Sequence, residues 1–171
     1  HIHIYDCTFD RGGSFVTCGS EATTVRDVEL DHCKAVGNAN RGISVLRLKL
    51  RTDTPQIYDD IHVHDITLEG AGTIINVAGW QQYDDLQGHQ RPHRIVRNIS
   101  ISNVTGSFGS FGSVTPPTGD IVENVTLENI DVTLPAGNGA TPRLNGIINL
   151  MIKNVKINGT DYKGPATQPT P

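Results

Sequence analysis

The chain has 171 residues, with 14 Lys and Arg against 18 Asp and Glu and a formal net charge of −4. That length suits one domain, and a mildly negative balance without a long basic block argues against nucleic acid or an anionic membrane as a partner. Aromatic residues are only 5% and hydrophobic residues 36% of the chain, thin for a two-layer globule but enough for stacked strands in which one side chain in two faces inward.

The first element sets a phrase that returns along the chain. Ile2-His3-Ile4-Tyr5-Asp6-Cys7 reads apolar-x-apolar, a polar pair, then an apolar residue or Cys. It recurs at Val28–Cys33, Ile61–Ile66, Ile99–Val104, Val125–Ile130 and Leu150–Val155. Aligned on Cys7, Cys33, Ile66, Val104, Ile130 and Val155, the copies step by about 26, 33, 38, 26 and 25 residues, in the range of repeat architectures. The alternation within each copy is that of a strand. One such strand per coil predicts a solenoid of parallel strands. The chain opens inside the phrase, without Met or a signal peptide, so further coils are expected upstream. No apolar run approaches the roughly 18–20 residues of a membrane span.

A second ladder is predicted between the copies. Its members are Phe15–Cys18, Ile43–Leu50, Thr73–Val77, Phe108–Val114 and Ile147-Ile148. Turn chemistry separates the two ladders at 11–14, 37–40, 69–72 and 116–119, where Gly, Asn and Pro set the corner angles. Two longer loops follow, Trp80–Arg94 and the Gly/Pro-rich Pro135–Pro142, the second expected to be mobile. The Pro/Thr-rich tail, 164–171, is expected to be disordered.

Cys7 and Cys33 hold the same phase in neighbouring coils, about one strand spacing of 4.8 Å apart. A disulfide is geometrically possible, but an odd count of three favours a ladder of buried thiols. Asn98, Asn103, Asn124 and Asn158 each open an Asn-x-Ser/Thr triplet. They read as glycosylation acceptors or, more simply, as solenoid corners, where Asn tolerates the left-handed conformation.

The strongest local signal is Leu46-Arg47-Leu48-Lys49-Leu50-Arg51. Alternation sends the leucines inward and sets Arg47, Lys49 and Arg51 on one outer face. Three like charges spaced by two repel, so the face calls for anions. These are either Asp53, Asp59 and Asp60 or an acidic sugar chain whose carboxylates Arg would grip in pairs. Trp80 and Tyr83 lie close in phase and offer rings for sugar stacking. His1, His3, His62 and His64 share strand faces in pairs, but no carboxylate or Cys has metal-ligand spacing along the chain, so no metal is expected. Glycoside hydrolysis needs two carboxylates flanking the bond. Neighbours such as Asp59-Asp60 and Asp84-Asp85 point to opposite faces, leaving Asp10 and Glu21 as the catalytic candidates.

The stretch Cys7–Glu21 closing on Gly19-Ser20-Glu21, then Val25–Cys33, then Arg47-Leu48-Lys49, resembles glycoside hydrolase family 28, the polygalacturonases and related pectin hydrolases. Leu46–Gln56 and Ile75–Gly88 look like bacterial members. The resemblance implies an all-β fold, a right-handed single-stranded parallel β-helix of about six coils over 1–163. It implies α-1,4-galacturonosyl hydrolysis in pectin by an inverting two-carboxylate mechanism, without a cofactor, in an extracellular or periplasmic setting. Arg47 and Lys49 would hold a galacturonate carboxylate, with Arg51, Trp80 and Tyr83 around it. The family's catalytic aspartates, in Asn-Thr-Asp and Asp-Asp motifs, are absent from this sequence, and Gly13 stands where its Gly-His-Gly carries His. The expectation is therefore part of, or a shortened relative of, a pectin hydrolase. The alternative is a non-catalytic β-helix that binds acidic polysaccharide or serves as a structural module. A coil stack that begins open is expected to self-associate or to pair with a missing N-terminal segment.

Overall fold

A computed structural model describes residues 1–10, 12–21, 23–36, 43–70, 72–80, 86–137 and 140–165, and the chain is almost entirely β. The strands are β1 (Ile2–Tyr5), β2 (Thr8–Phe9), β3 (Ser14–Cys18), β4 (Thr24–Ala35), β5 (Ser44–Arg51), β6 (Gln56–Glu69), β7 (Thr73–Trp80), β8 (Arg94–Ser107), β9 (Ser110–Thr115), β10 (Ile121–Thr133), β11 (Ile148–Ile157) and β12 (Thr160–Asp161). They form two sheets. The first runs β1-β4-β6-β8-β10-β11-β12 with β2 beside β4, and the second runs β3-β5-β7-β9. From β3 to β10 the chain crosses to the other sheet at every step. Every pairing is parallel except β11 with β12. No helix among the described residues is long and apolar enough to cross a membrane.

The register follows the repeated phrase. Cys33 pairs with Ile66, Ile66 with Val104, Val104 with Ile130, and Ile130 with Val155. The same stacking joins Val28, Ile61, Ile99, Val125 and Leu150. These columns are buried and merge with Leu46, Leu48, Leu50, Ile75, Val77 and Phe111 of the second sheet into one core. Burying each Leu, Ile or Val stabilises the fold by roughly 1.5–3 kcal/mol, and the stacking repeats that gain in every layer.

The phrase hides a corner that alternation alone does not reveal. Its third and sixth residues, such as Val63 and Ile66, are both buried. In a straight strand two residues three apart face opposite ways. The chain corrects the phase with one left-handed residue, the second of the polar pair: Asp6, His32, Asp65, Asn103, Asn129 and Asn154, with φ between 49° and 55°. A second row of corners, Asp27, Asp60, Asn98, Asn124 and Asn149, precedes the phrase. Asn and Asp dominate because this conformation costs other L-residues more.

The corner reading of the Asn triplets is also seen in the hydrogen bonds. The amides join strand to strand: Asn103 Nδ2 donates to Asp65, Asn129 to Asn103 (3.1 Å) and Asn154 to Asn129 (2.9 Å). A parallel run links Asn98 to Asp59, Asn124 to Asn98 and Asn149 to Asn124. At Asn158 the side chain instead accepts from the Leu134 amide at 2.8 Å.

One expectation is corrected here. Ile147-Ile148 does not extend the second ladder, because Ile148 opens β11 in the first sheet. Arg143 takes the place beyond β9, bridging to Ser113. The cysteines are free thiols. Cys33 Sγ donates to the Asp31 carbonyl and Cys7 Sγ to that of Tyr5. Burial pushes the Cys18 thiol up to about 12 and raises Cys33 as well, so both are inert small hydrophobes at neutral pH. The tail from 166 and the loop residues 37–42, 81–85 and 138–139 lie outside the described residues.

Candidate functional site

The site is built on the outer face of the second sheet. In β5, Leu46, Leu48 and Leu50 are buried while Arg47, Lys49 and Arg51 turn outward. The three cations then part company. Arg51 is neutralised: its Nε donates to Asp53 Oδ1 at 2.6 Å, one terminal nitrogen to Asp53 Oδ2 at 3.1 Å, and the other to Glu21 at 3.4 Å. The Arg51 guanidinium holds the Asp53 carboxyl below its ordinary value. Asp59, another expected counter-ion, is engaged elsewhere, by Arg97 at 2.8 Å and by Asn98. Asp60 accepts from His62.

Arg47 and Lys49 have no carboxylate partner among the described residues. Both instead lie over the Trp80 ring, Lys49 Nζ at 4.3 Å from its centroid and Arg47 Cζ at 5.2 Å. Parallel register makes this possible, since Arg51 pairs with Trp80 and Lys49 with Ala78, whose small side chain leaves the ring room. Each cation–π contact is worth about 0.5–1 kcal/mol at exposed positions. That is too little to neutralise two like charges but enough to gather them at one point. Tyr83, Asp84 and Asp85 lie outside the described residues.

A buried polar network sets the strand edge beneath the cations. Gln56 Nε2 donates to the Ser20 carbonyl and to the Tyr58 hydroxyl, both at 2.7 Å. Gln56 Oε1 accepts from the Arg51 amide at 2.7 Å. Tyr58 in turn donates to the Lys49 carbonyl at 3.0 Å. Burial pushes the Tyr58 phenol well up, so it stays a neutral donor. Gly19 completes the packing: a Cβ there would stand 2.6 Å from the Lys49 carbonyl oxygen, and its φ is +92°. Thus Gly19-Ser20 and Arg47-Leu48-Lys49, far apart in sequence, share one support.

At the start of β8, Arg94 is fully buried. Its Nε donates to Asp120 at 2.6 Å, one terminal nitrogen bonds the other Asp120 oxygen, and the second donates to the Arg51 carbonyl at 2.5 Å. Arg91 adds a contact to Asp120 at 3.0 Å. Neither Arg94 nor Asp120 was identifiable as a buried pair from the sequence. Their sole signal is position: Arg94 opens β8 and Asp120 immediately precedes β10.

Beyond the cations the outer column continues as Asn76 and Ser113, then Arg143. With Ser110 and Thr141 these line a half-open polar cleft of about 640 Å³. Arg143 is exposed and has no carboxylate partner among the described residues. It is a further cation on this face that sequence reading missed.

The catalytic candidates fare differently. Asp10 is exposed just past β2, on the first sheet, and Glu21 is exposed just past β3, on the second. Ser20 Oγ donates to Glu21 at 2.8 Å, and this hydrogen bond, with Arg51 nearby, holds its carboxyl below the ordinary value. A carboxyl kept ionised is a poor proton donor at neutral pH, so Glu21 does not suit the general-acid role.

The histidines missed along the chain are joined across it. Asp31 stacks on His64, and Glu29 on His62 and His3. His3 Nε2 approaches Asp31 Oδ2 at 2.5 Å, and His64 Nε2 approaches Glu29 at 3.2 Å. The carboxylates absent from the local spacing are thus supplied by the adjacent strand.

Comparison with protein-family models, with curated proteins and with solved structures finds no match for this chain.

Proposed function

We propose that this chain is the uronate-binding part of a β-helical pectin hydrolase of the polygalacturonase type. The alternation of strands between two parallel sheets supports a right-handed β-helix, and the Gly19-Ser20-Glu21 and Arg47-x-Lys49 motifs support the family. The observation that carries the reading is the pair Arg47 and Lys49. Two cations are held together over Trp80 without a counter-ion among the described residues. A carboxylate-bearing sugar fits that gap, because a charge-assisted hydrogen bond to each cation contributes about 1.5–3 kcal/mol. The polar cleft beyond, ending at Arg143, suits a chain of hydroxylated and acidic units. An extracellular or periplasmic setting follows from a pectin substrate.

The experiment is calorimetric titration with oligogalacturonate and with a neutral oligosaccharide of equal length. Arg47→Ala is expected to weaken oligogalacturonate binding at least tenfold and leave the neutral ligand unaffected. Equal losses for both ligands would overturn the assignment. A second reading, a non-catalytic acidic-polysaccharide binder, is favoured by the state of Glu21 and Asp53, both already engaged by Arg51. Reducing-sugar release from polygalacturonate separates the two readings: binding without release supports the second.

A further inference from the structure

The outer face of the first sheet carries a second charged cluster with a different chemistry. Parallel register sets Glu29 and Asp31 of β4 beside His62 and His64 of β6. One ligand atom from each of Glu29, Asp31 and His64 lies within 4.8 Å of the other two. The surroundings fix these side chains. His64 Nδ1 meets Asp65 Oδ2 at 2.7 Å, and Asp65 Oδ1 accepts from Asn103 of β8 at 2.9 Å. Asp31 is buried and takes His3 of β1 on one oxygen and His32 on the other.

The hydrogen-bond inventory of His64 fits a metal ligand. Both its ring nitrogens face carboxylates, Nδ1 toward Asp65 and Nε2 toward Glu29. A neutral imidazole has one N–H, so it can satisfy only one of them. With Nδ1–H given to Asp65, the Nε2 lone pair points at Glu29, and either a second proton or a divalent ion between them satisfies both. An imidazole oriented by a carboxylate on its far nitrogen is the usual arrangement of a metal-bound histidine.

The geometry points to a binding site for a zinc-class divalent cation, ligated by His64 Nε2, Glu29 and Asp31, with Asp65 as the positioning residue and the fourth position open to water or His3. One imidazole with two carboxylates suits Zn²⁺ and its first-row neighbours, whereas Ca²⁺ and Mg²⁺ require more oxygen ligands than this face offers. The site lies on the opposite sheet from Arg47 and Lys49, so it does not depend on the proposed polysaccharide binding.

The test is calorimetric titration of the chelator-treated chain with zinc chloride at near-neutral pH, repeated with Co²⁺ to read its visible absorption. Saturable uptake of one equivalent is expected, lost at least tenfold in both His64→Gln and Glu29→Gln. Asp65→Asn keeps all three ligands and should weaken binding about 10–100-fold, the usual effect of losing such a partner. His62→Gln should change nothing, and Ca²⁺ and Mg²⁺ should give no saturable signal. The substituted side chains face outward, and circular dichroism checks that each variant keeps its strands. No saturable uptake at millimolar zinc overturns the proposal. So does uptake that survives in His64→Gln and Glu29→Gln, or uptake lost only in a His1 or His3 variant.

Discussion

The outer faces of the two sheets handle charge in opposite ways. On the first sheet, charged groups meet partners one strand away: Arg97 with Asp59, His64 with Glu29, Lys153 near Glu128. On the second, Arg47 and Lys49 stand together over an aromatic ring with no acid beside them among the described residues. Identical stacking geometry underlies both. The difference teaches that parallel register is a neutral device: it aligns like with like or like with unlike according to what the sequence puts in each column. A compensated column stabilises the molecule, whereas an uncompensated one leaves its charges in mutual repulsion.

Removing compensation from the interior should have the largest effect. Asp120→Ala leaves Arg94 buried and unpaired and should destabilise the chain by about 3–5 kcal/mol, read by denaturant unfolding. Arg91→Ala, at the half-exposed edge of the same cluster, should cost far less. On the second sheet the logic inverts. Arg47→Ala, predicted to cost binding, should leave the melting temperature unchanged or slightly higher, since it relieves repulsion with Lys49.

A smaller effect sharpens the account of the first sheet. Asn129→Ala forces a left-handed alanine, costing about 1–2 kcal/mol, and deletes two side-chain hydrogen bonds. Asn129→Gly keeps the backbone freedom and should lose only the hydrogen-bond part, about 1 kcal/mol. Equal losses in the two variants would mean that the corner conformation does not matter.

The smallest effect is one of pH. Arg97, then Asn98, hold the Asp59 carboxyl below its ordinary value. A depressed folded pKa means that this stabilisation is fully present above the unfolded value of about 3.9 and is lost as pH falls through the folded one. Asp59→Asn should therefore flatten the acid limb of a melting-temperature profile and leave the shape near neutrality alone.

Much of the framework was legible in the sequence because it rests on columns. Aligning six phrases predicts which residues stack, and Cys33, Ile66, Val104, Ile130 and Val155 do so. The outward turn of Arg47 and Lys49 follows from the leucines between them. Alternation alone does not reveal the single-residue corners inside the phrase; the Asn triplets marked Asn103, but Asp6, His32 and Asp65 look like any polar strand residue. The burial of Arg94 was hidden as well, because a charge is read as exposed until its counter-ion, Asp120, is found beside the next strand. The Glu29, Asp31 and His64 group was visible in the aligned phrases. Spacing along the chain does not show it, because its members come together across neighbouring strands.

The connections between strands differ widely in length, yet no column slips. The link from Trp80 to Arg94 is much longer than that from Arg51 to Gln56, while Arg94 still pairs with Gln56 in register. Because lengthening a surface loop adds little closure entropy, the lattice is decoupled from what hangs off its rim. Segments can therefore be grafted after Trp80 or within 135–142 to build taller walls around the cleft, leaving the stacked interior undisturbed. This architecture separates the question of how the molecule stands from the question of what it reaches.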